Sequence, residues 1–107
     1  MATPTANGIL PGRPMVYLLH FDRPLAHARH YTGFVEYDLE QRLEHHATGH
    51  GARIMQVLAE RGIGFQLARV WLGADRAFER RLKRWSGAAQ YCPICDPTAA
   101  GRAHFQP

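Results

Sequence analysis

Lysine and asparagine are almost missing from this 107-residue sequence, Lys83 and Asn7 being the single example of each. Cysteine occurs only as Cys92 and Cys95, too few and too close together for a disulfide scaffold. Long apolar runs are absent as well. The longest unbroken one, Met15 to Leu19, falls far short of the ~20 residues that a membrane-spanning helix needs. No basic segment precedes an apolar stretch at the N-terminus, which speaks against a secretory signal. At 46% hydrophobic and 21% charged residues, the composition is that of a globular chain with one modest core. The expectation is a small, soluble, cytoplasmic domain with no membrane partner.

What is present in excess is arginine. Thirteen Lys+Arg against nine Asp+Glu leave a formal charge of +4, and every cation but Lys83 is an arginine. Arginine reads phosphate in a bidentate way, so the charge points to a polyanionic partner, with nucleic acid as the first candidate. Genomic base composition is the competing source of an arginine excess.

Residues 1–14 are rich in Pro and Gly among small polar residues and read as a disordered leader. Order is expected from Met15 through Phe21, a continuous apolar strand, followed by a turn signal at Asp22-Arg23-Pro24 and a polar loop through His27 and Arg29, longer than the minimal hairpin type. A second strand, His30 to Val35, completes an antiparallel hairpin. Asp38 caps a helix running to about His46, and Leu39 and Leu43 lie on its buried side. After the break at Thr48-Gly49-His50-Gly51 comes a second helix from Ala52 to Arg61, stopped by Gly62 and Gly64. Phe65 to Leu72 reads as a third strand, and Asp75 caps a third helix from Arg76 to about Trp85. The fold class is therefore α+β in the order ββααβα, a small, mainly antiparallel three-stranded sheet flanked by helices. The domain is expected over residues 15–90, with an aperiodic tail over 91–107.

Three groups of residues could carry chemistry. Arg42 and His46 stand at i and i+4, so they project from one helix face, either as a solvated face or as a phosphate ligand beside a proton carrier. Glu79 is the one carboxylate interior to the third helix, among Arg76, Arg80, Arg81, Lys83 and Arg84. It either pairs with Lys83 at i+4 or holds a divalent cation while the basic residues track a nucleic-acid backbone. Tyr17 and Tyr31 lie one on each hairpin strand, and Gly33 sits within the second, where glycine marks a bulge or a close approach.

In this order, Val16-Tyr17, Tyr31-Thr32-Gly33, the helix Asp38 to His46, the stretch Thr48 to Arg53 and Glu79-Arg80-Arg81-Leu82-Lys83 together resemble the GIY-YIG nuclease superfamily. The resemblance covers about Met15 to Trp85. It implies a metal-dependent endonuclease that hydrolyses phosphodiester bonds of DNA in preference to RNA. Tyr17 would lie near the attacking water, supported by Tyr31, with Gly33 admitting the substrate. Arg42 would stabilise the pentavalent phosphate, and His46 matches a histidine that some members carry. Glu79 would bind one Mg²⁺ or Mn²⁺, while Arg80, Lys83 and Arg84 would hold the nucleic-acid backbone. The sequence departs from the family where Met15-Val16-Tyr17 replaces Gly-Ile-Tyr, where Thr32 replaces the central isoleucine, and in lacking an asparagine after Glu79. That last departure leaves open a non-catalytic nucleic-acid-binding module on the same fold.

Cys92-Pro93-Ile94-Cys95 has the spacing of half a zinc site. His104 supplies a candidate third ligand, and no fourth is evident nearby. The pair reads as two reduced thiols, or as half of a Zn²⁺ site shared between chains in a zinc-bridged interaction protein.

Overall fold

The computed structural model describes residues 13–85 and 87–105. The leader expected over residues 1–14 thus lies outside the described residues as far as residue 12. Six regular elements follow one another: β1 (Met15–Leu25), β2 (Ala28–Val35), α1 (Leu39–Ala47), α2 (Arg53–Glu60), β3 (Phe65–Leu72) and α3 (Arg76–Arg84). The three strands form one antiparallel sheet in the order β2-β1-β3. The fold is a small α+β domain, as expected. No helix among the described residues is long and apolar enough to cross a membrane.

The unbroken apolar run of β1 follows from its place in the middle. A central strand covered on both faces has no polar side to show, so its residues need not alternate. Met15, Tyr17, Leu19 and Phe21 turn to one face, where Val35, Leu39, Met55, Leu58 and Ile63 from β2, α1, α2 and the α2–β3 turn complete a core. Val16 and Leu18 turn to the other face, where Trp71, Ala74, Phe78, Leu82, Tyr91 and Cys92 complete a second buried layer. Side-chain caps fix where α1 and α3 begin. The Asp38 carboxylate accepts from the Gln41 N–H (3.1 Å), and that of Asp75 from the Phe78 N–H (2.9 Å), each satisfying one orphan donor of a first turn.

Two sequence expectations need correction. The first is the hairpin connection, which is not a long loop from Asp22 through Arg29 but a two-residue tip. β1 runs on to Leu25, which pairs with Ala28, leaving Ala26 and His27 as the tip, and Ala26 takes φ +53°. Proline is tolerated there because β1 pairs with β3 only as far as Phe21↔Phe65, so Pro24 removes no bond from that side of the ladder.

The second is the tail. Two short 3-10 turns, Ala88–Tyr91 and Pro97–Gly101, fold back under the sheet, so the second core continues past residue 90. Arg69 of β3 organises this segment. Its guanidinium donates to the carbonyls of Tyr91 (3.3 Å), Ala99 (3.0 Å), Ala100 (3.5 Å) and Arg102 (2.7 Å) while lying 4.5 Å over the Trp71 ring. The Trp71 indole N–H adds a bond to the Ala103 carbonyl (2.7 Å). An aperiodic segment is thus held through its backbone oxygens.

Arg69→Met keeps the apolar stem and removes all four donors. It should cost about 1–3 kcal/mol, the range for leaving buried polar groups without their hydrogen-bond partner. Urea unfolding should register that loss, and limited proteolysis should cut first within residues 88–105. Unchanged stability and protection would show that the apolar contacts of Tyr91 and Ala99 hold the segment unaided.

Candidate functional site

The first core carries a polar group at its margin. Tyr17, wholly buried on β1, directs its hydroxyl to His46 Nε2 at 2.8 Å. Tyr31 closes the third side, its ring centroid 6.2 Å from that of Tyr17 and 5.4 Å from the His46 ring, which it meets edge-on. Sequence spacing puts Arg42 and His46 on one face of α1, and the structure turns that face inward at His46, which is 2% exposed. The reading of this pair as a solvated helix face therefore fails for the histidine. Arg42 is half-buried, donates to the Phe34 carbonyl (3.3 Å), and lies near enough to the Tyr17 phenol to act on its charge.

Gly33 stands directly opposite Tyr17 in the β1–β2 register, and a Cβ there would overlap the Tyr17 ring. The space above this glycine is occupied by the tyrosine, so its first role is to let that ring lie flat across β2. Substrate entry over Gly33, expected from the sequence, has to contend with that ring.

The electrostatics of the pair follow from burial. Desolvation, chiefly, and then the neighbouring Tyr31 push the Tyr17 phenol well above its ordinary value, while Arg42 pulls it back. Burial likewise lowers His46 below its ordinary 6.5, and the charges of Arg42 and His45 act in the same direction. Burial thus favours the neutral form of both groups, and the phenol O–H donates to Nε2 when the imidazole carries its proton on Nδ1. In that tautomer the proton sits on the buried Nδ1, which faces the backbone at His50 and Gly51 and has no hydrogen bond of good geometry.

From the other side, α3 brings Glu79 and Lys83. Glu79 is nearly buried, with a side chain 12% exposed, and pairs with Lys83 at 3.1 Å. The i+4 pair expected from the sequence is present, but at a buried carboxylate. Lys83 Nζ also lies 5.8 Å over the Tyr31 ring. Tyr31 packs with the first core and α3 with the second, so these side chains reach past the edge strand β2. Tyr17, Tyr31, Arg42, His46, Glu79 and Lys83 thus converge. Arg80 and Arg84 do not join them: both are exposed on α3, and Arg84 Nε turns back toward the Arg80 carbonyl (3.4 Å).

Beside the cluster opens a cleft of about 370 Å³ lined by Phe34, Tyr37, Asp38, Arg42, His45 and Arg76 among others. Arg76, stacked 4.8 Å over Phe34, is a second cation in this cleft, where the sequence placed it only in the general basic set of α3. The signal was its place one and two turns before Arg80 and Lys83 on α3.

A second polar group lies on the opposite face of the sheet. His20, His30, Cys92 and Cys95 bring one ligand atom each within 4.8 Å of all the others, a set that could hold a metal ion. His104, the expected third ligand, instead borders a separate cavity near Phe78, Arg81 and Trp85. Because the hairpin itself supplies two histidines, no second chain is needed to complete four ligands. His20 and His30 face each other in the β1–β2 register, a pairing that the structure supplies and no sequence spacing announces. Thiolate and imidazole donors suit zinc, whereas Mg²⁺ takes oxygen donors.

Compared with family models, curated protein sequences and solved structures, the chain has no match.

The neutral state of His46 has a consequence for stability. The unfolded chain protonates this imidazole near its ordinary 6.5, and the folded chain resists protonation. Between the two values the unfolded state holds more protons, so the contribution is fully present above about pH 6.5 and is lost as pH falls below it. Glutamine at position 46 can still accept from Tyr17 but does not titrate. Urea midpoints between pH 5 and 8 should therefore fall less steeply toward acid in His46→Gln than in the wild type. Parallel curves would mean that His46 is free to protonate in the folded protein.

Proposed function

We propose that this chain is a metal-dependent endonuclease of the GIY-YIG type, hydrolysing a phosphodiester bond of DNA. The observation that carries the reading is the 2.8 Å bond from the Tyr17 hydroxyl to His46 Nε2, with Tyr31, Arg42 and Glu79 around it. These contacts support the reading of Tyr17 and His46 as a proton path for the attacking water, with Arg42 as the cation for the phosphate and Glu79 as the carboxylate for a metal.

The raised phenol of Tyr17 is a poor base alone. Coupled to His46 it needs no tyrosinate, because its oxygen takes a proton from water while its own proton moves to Nε2. The hydroxide so formed adds to phosphorus, the P–O bond to the leaving sugar oxygen breaks, and that alkoxide takes its proton from solvent. Arg42 supplies guanidinium donors to the phosphate oxygens as their charge grows. The Glu79 carboxylate would hold Mg²⁺ or Mn²⁺, a hard cation suited to one carboxylate with water and phosphate oxygens, and it would supply Lewis-acid stabilisation of the phosphate. Arg76 in the cleft and Arg80, Lys83 and Arg84 along α3 give the backbone of a nucleic acid a cationic track.

A second reading has an observation in its favour. Glu79 is already paired with Lys83 at 3.1 Å, and a carboxylate neutralised by its own helix suits a module that holds nucleic acid without cutting it.

Arg42→Ala separates the two. Under the enzyme reading it should slow Mg²⁺-dependent cleavage of plasmid or branched DNA by roughly 10²–10³, mostly in kcat, with Arg42→Lys rescuing poorly. Glu79→Gln should abolish cleavage while DNA affinity in a filter-binding assay holds or improves. Wild-type protein that binds DNA but cuts no DNA or RNA structure with either metal would establish the binding module instead.

A further inference from the structure

The Cys92-Pro93-Ile94-Cys95 turn and the two histidines of the hairpin have no part in the proposed hydrolysis. They lie on the face of the sheet opposite Tyr17. His20 is three residues along β1 from Tyr17, roughly 10 Å at the strand rise. A different role has to explain why four side chains of these types are gathered there.

Their spacing is informative. The His20 Nδ1 to His30 Nε2 distance is 3.3 Å. Cys92 Sγ and Cys95 Sγ each stand 3.6 Å from His20 Nδ1, and Cys95 Sγ stands 3.3 Å from His30 Nε2. Zinc binds sulfur at about 2.3 Å and imidazole nitrogen at about 2.0–2.1 Å, so around a tetrahedral ion two nitrogens sit ~3.3 Å apart and a nitrogen and a sulfur ~3.6 Å apart. These four edges match the corresponding edges of that tetrahedron to within a few tenths of an ångström, and the other two, from Cys92 Sγ to His30 and to Cys95, fall within 4.8 Å. The two cysteines are not joined to each other and remain free thiols. The turn that presents them is already closed by its backbone, with the Cys95 and Asp96 N–H groups donating to the Cys92 carbonyl at 3.1 and 3.0 Å.

We propose that His20, His30, Cys92 and Cys95 form a closed structural zinc site that clamps the C-terminal segment onto the hairpin. Four protein ligands leave no open position for substrate or activated water, which is the signature of a structural rather than a catalytic zinc. The site joins the β1–β2 hairpin to residues 92–95, which lie far from it in the chain, on the same side of the sheet as the Arg69 contacts. Those contacts hold residues 91–102 by their carbonyls, and the zinc would hold the same segment by its side chains. The ion is independent of any metal at Glu79 and of the proposed nuclease reading, so its test requires no activity.

The full chain, purified without chelator and then dialysed against zinc, should contain one zinc per chain by elemental analysis. Cobalt in its place should give the intense visible bands of a tetrahedral site together with sulfur-to-metal charge transfer. Removing the metal should lower the melting temperature by roughly 10–20 °C, and zinc should restore it while Mg²⁺ does not. Cys92 is buried and its replacement could prevent folding, so the variants are at less buried positions: His30→Ala and Cys95→Ala should each lose most of the zinc, and His104→Ala should retain it. Less than about one zinc per five chains after dialysis at micromolar zinc, an octahedral cobalt spectrum, or full zinc in both His30→Ala and Cys95→Ala would overturn the assignment. So would a ratio of one zinc to two chains, which would mean a site shared between molecules.

Discussion

Everything in this domain depends on burying β1 from both sides. Met15 through Leu19 and Phe21 are fully enclosed, and even His20 is only 7% exposed. A strand so placed delivers its alternate residues to two separate environments. Odd positions enter the core built with α1 and α2, and Tyr17 is the member of that set whose hydroxyl meets a polar partner, the buried His46. Even positions enter the layer built with α3 and the C-terminal segment, and His20 ends that series. Two chemically distinct centres are thus positioned by one strand, and neither can shift without the other, because a slip of one residue would exchange their faces.

The regular elements were legible because local rules agreed with the tertiary result. The third strand occupies Phe65–Leu72 as its apolar and β-branched content predicts, and Asp38 and Asp75 cap their helices as their side chains predict. The hairpin turn misled because Asp22-Arg23-Pro24 has turn composition but lies where β1 has lost its partner on one side. A tip made of Ala26 and His27 has no glycine or asparagine to announce it. The C-terminal segment was opaque for another reason. Its order comes from Arg69 and Trp71, some twenty to thirty residues earlier, and periodicity within the segment carries no trace of those bonds.

The candidate site was legible in its parts and not in its geometry. Spacing put Arg42 and His46 on one helix face, but only the packing of α1 against the hairpin decides that the histidine is enclosed and meets Tyr17. The family resemblance singled out Glu79 and Lys83, and the i+4 rule predicted their pairing. That α3 sends them past the edge of β2 to Tyr31 is a matter of where the helix sits. The histidines of the second centre stayed hidden because a ligand set shared by two strands and a distant turn has no sequence spacing at all. Cross-strand register, once known, makes His20 and His30 neighbours.

Arg69 has an implication for how this sequence can change. Its four partners are backbone oxygens of Tyr91, Ala99, Ala100 and Arg102, and a carbonyl is the same whatever side chain follows it. Recognition of that kind is blind to residue type. The exposed positions around Ala100 can therefore drift widely among related chains, or be rewritten by a protein engineer, while position 69 cannot. A single arginine would then mark the presence of this docked segment in sequences whose C-terminal residues no longer resemble one another.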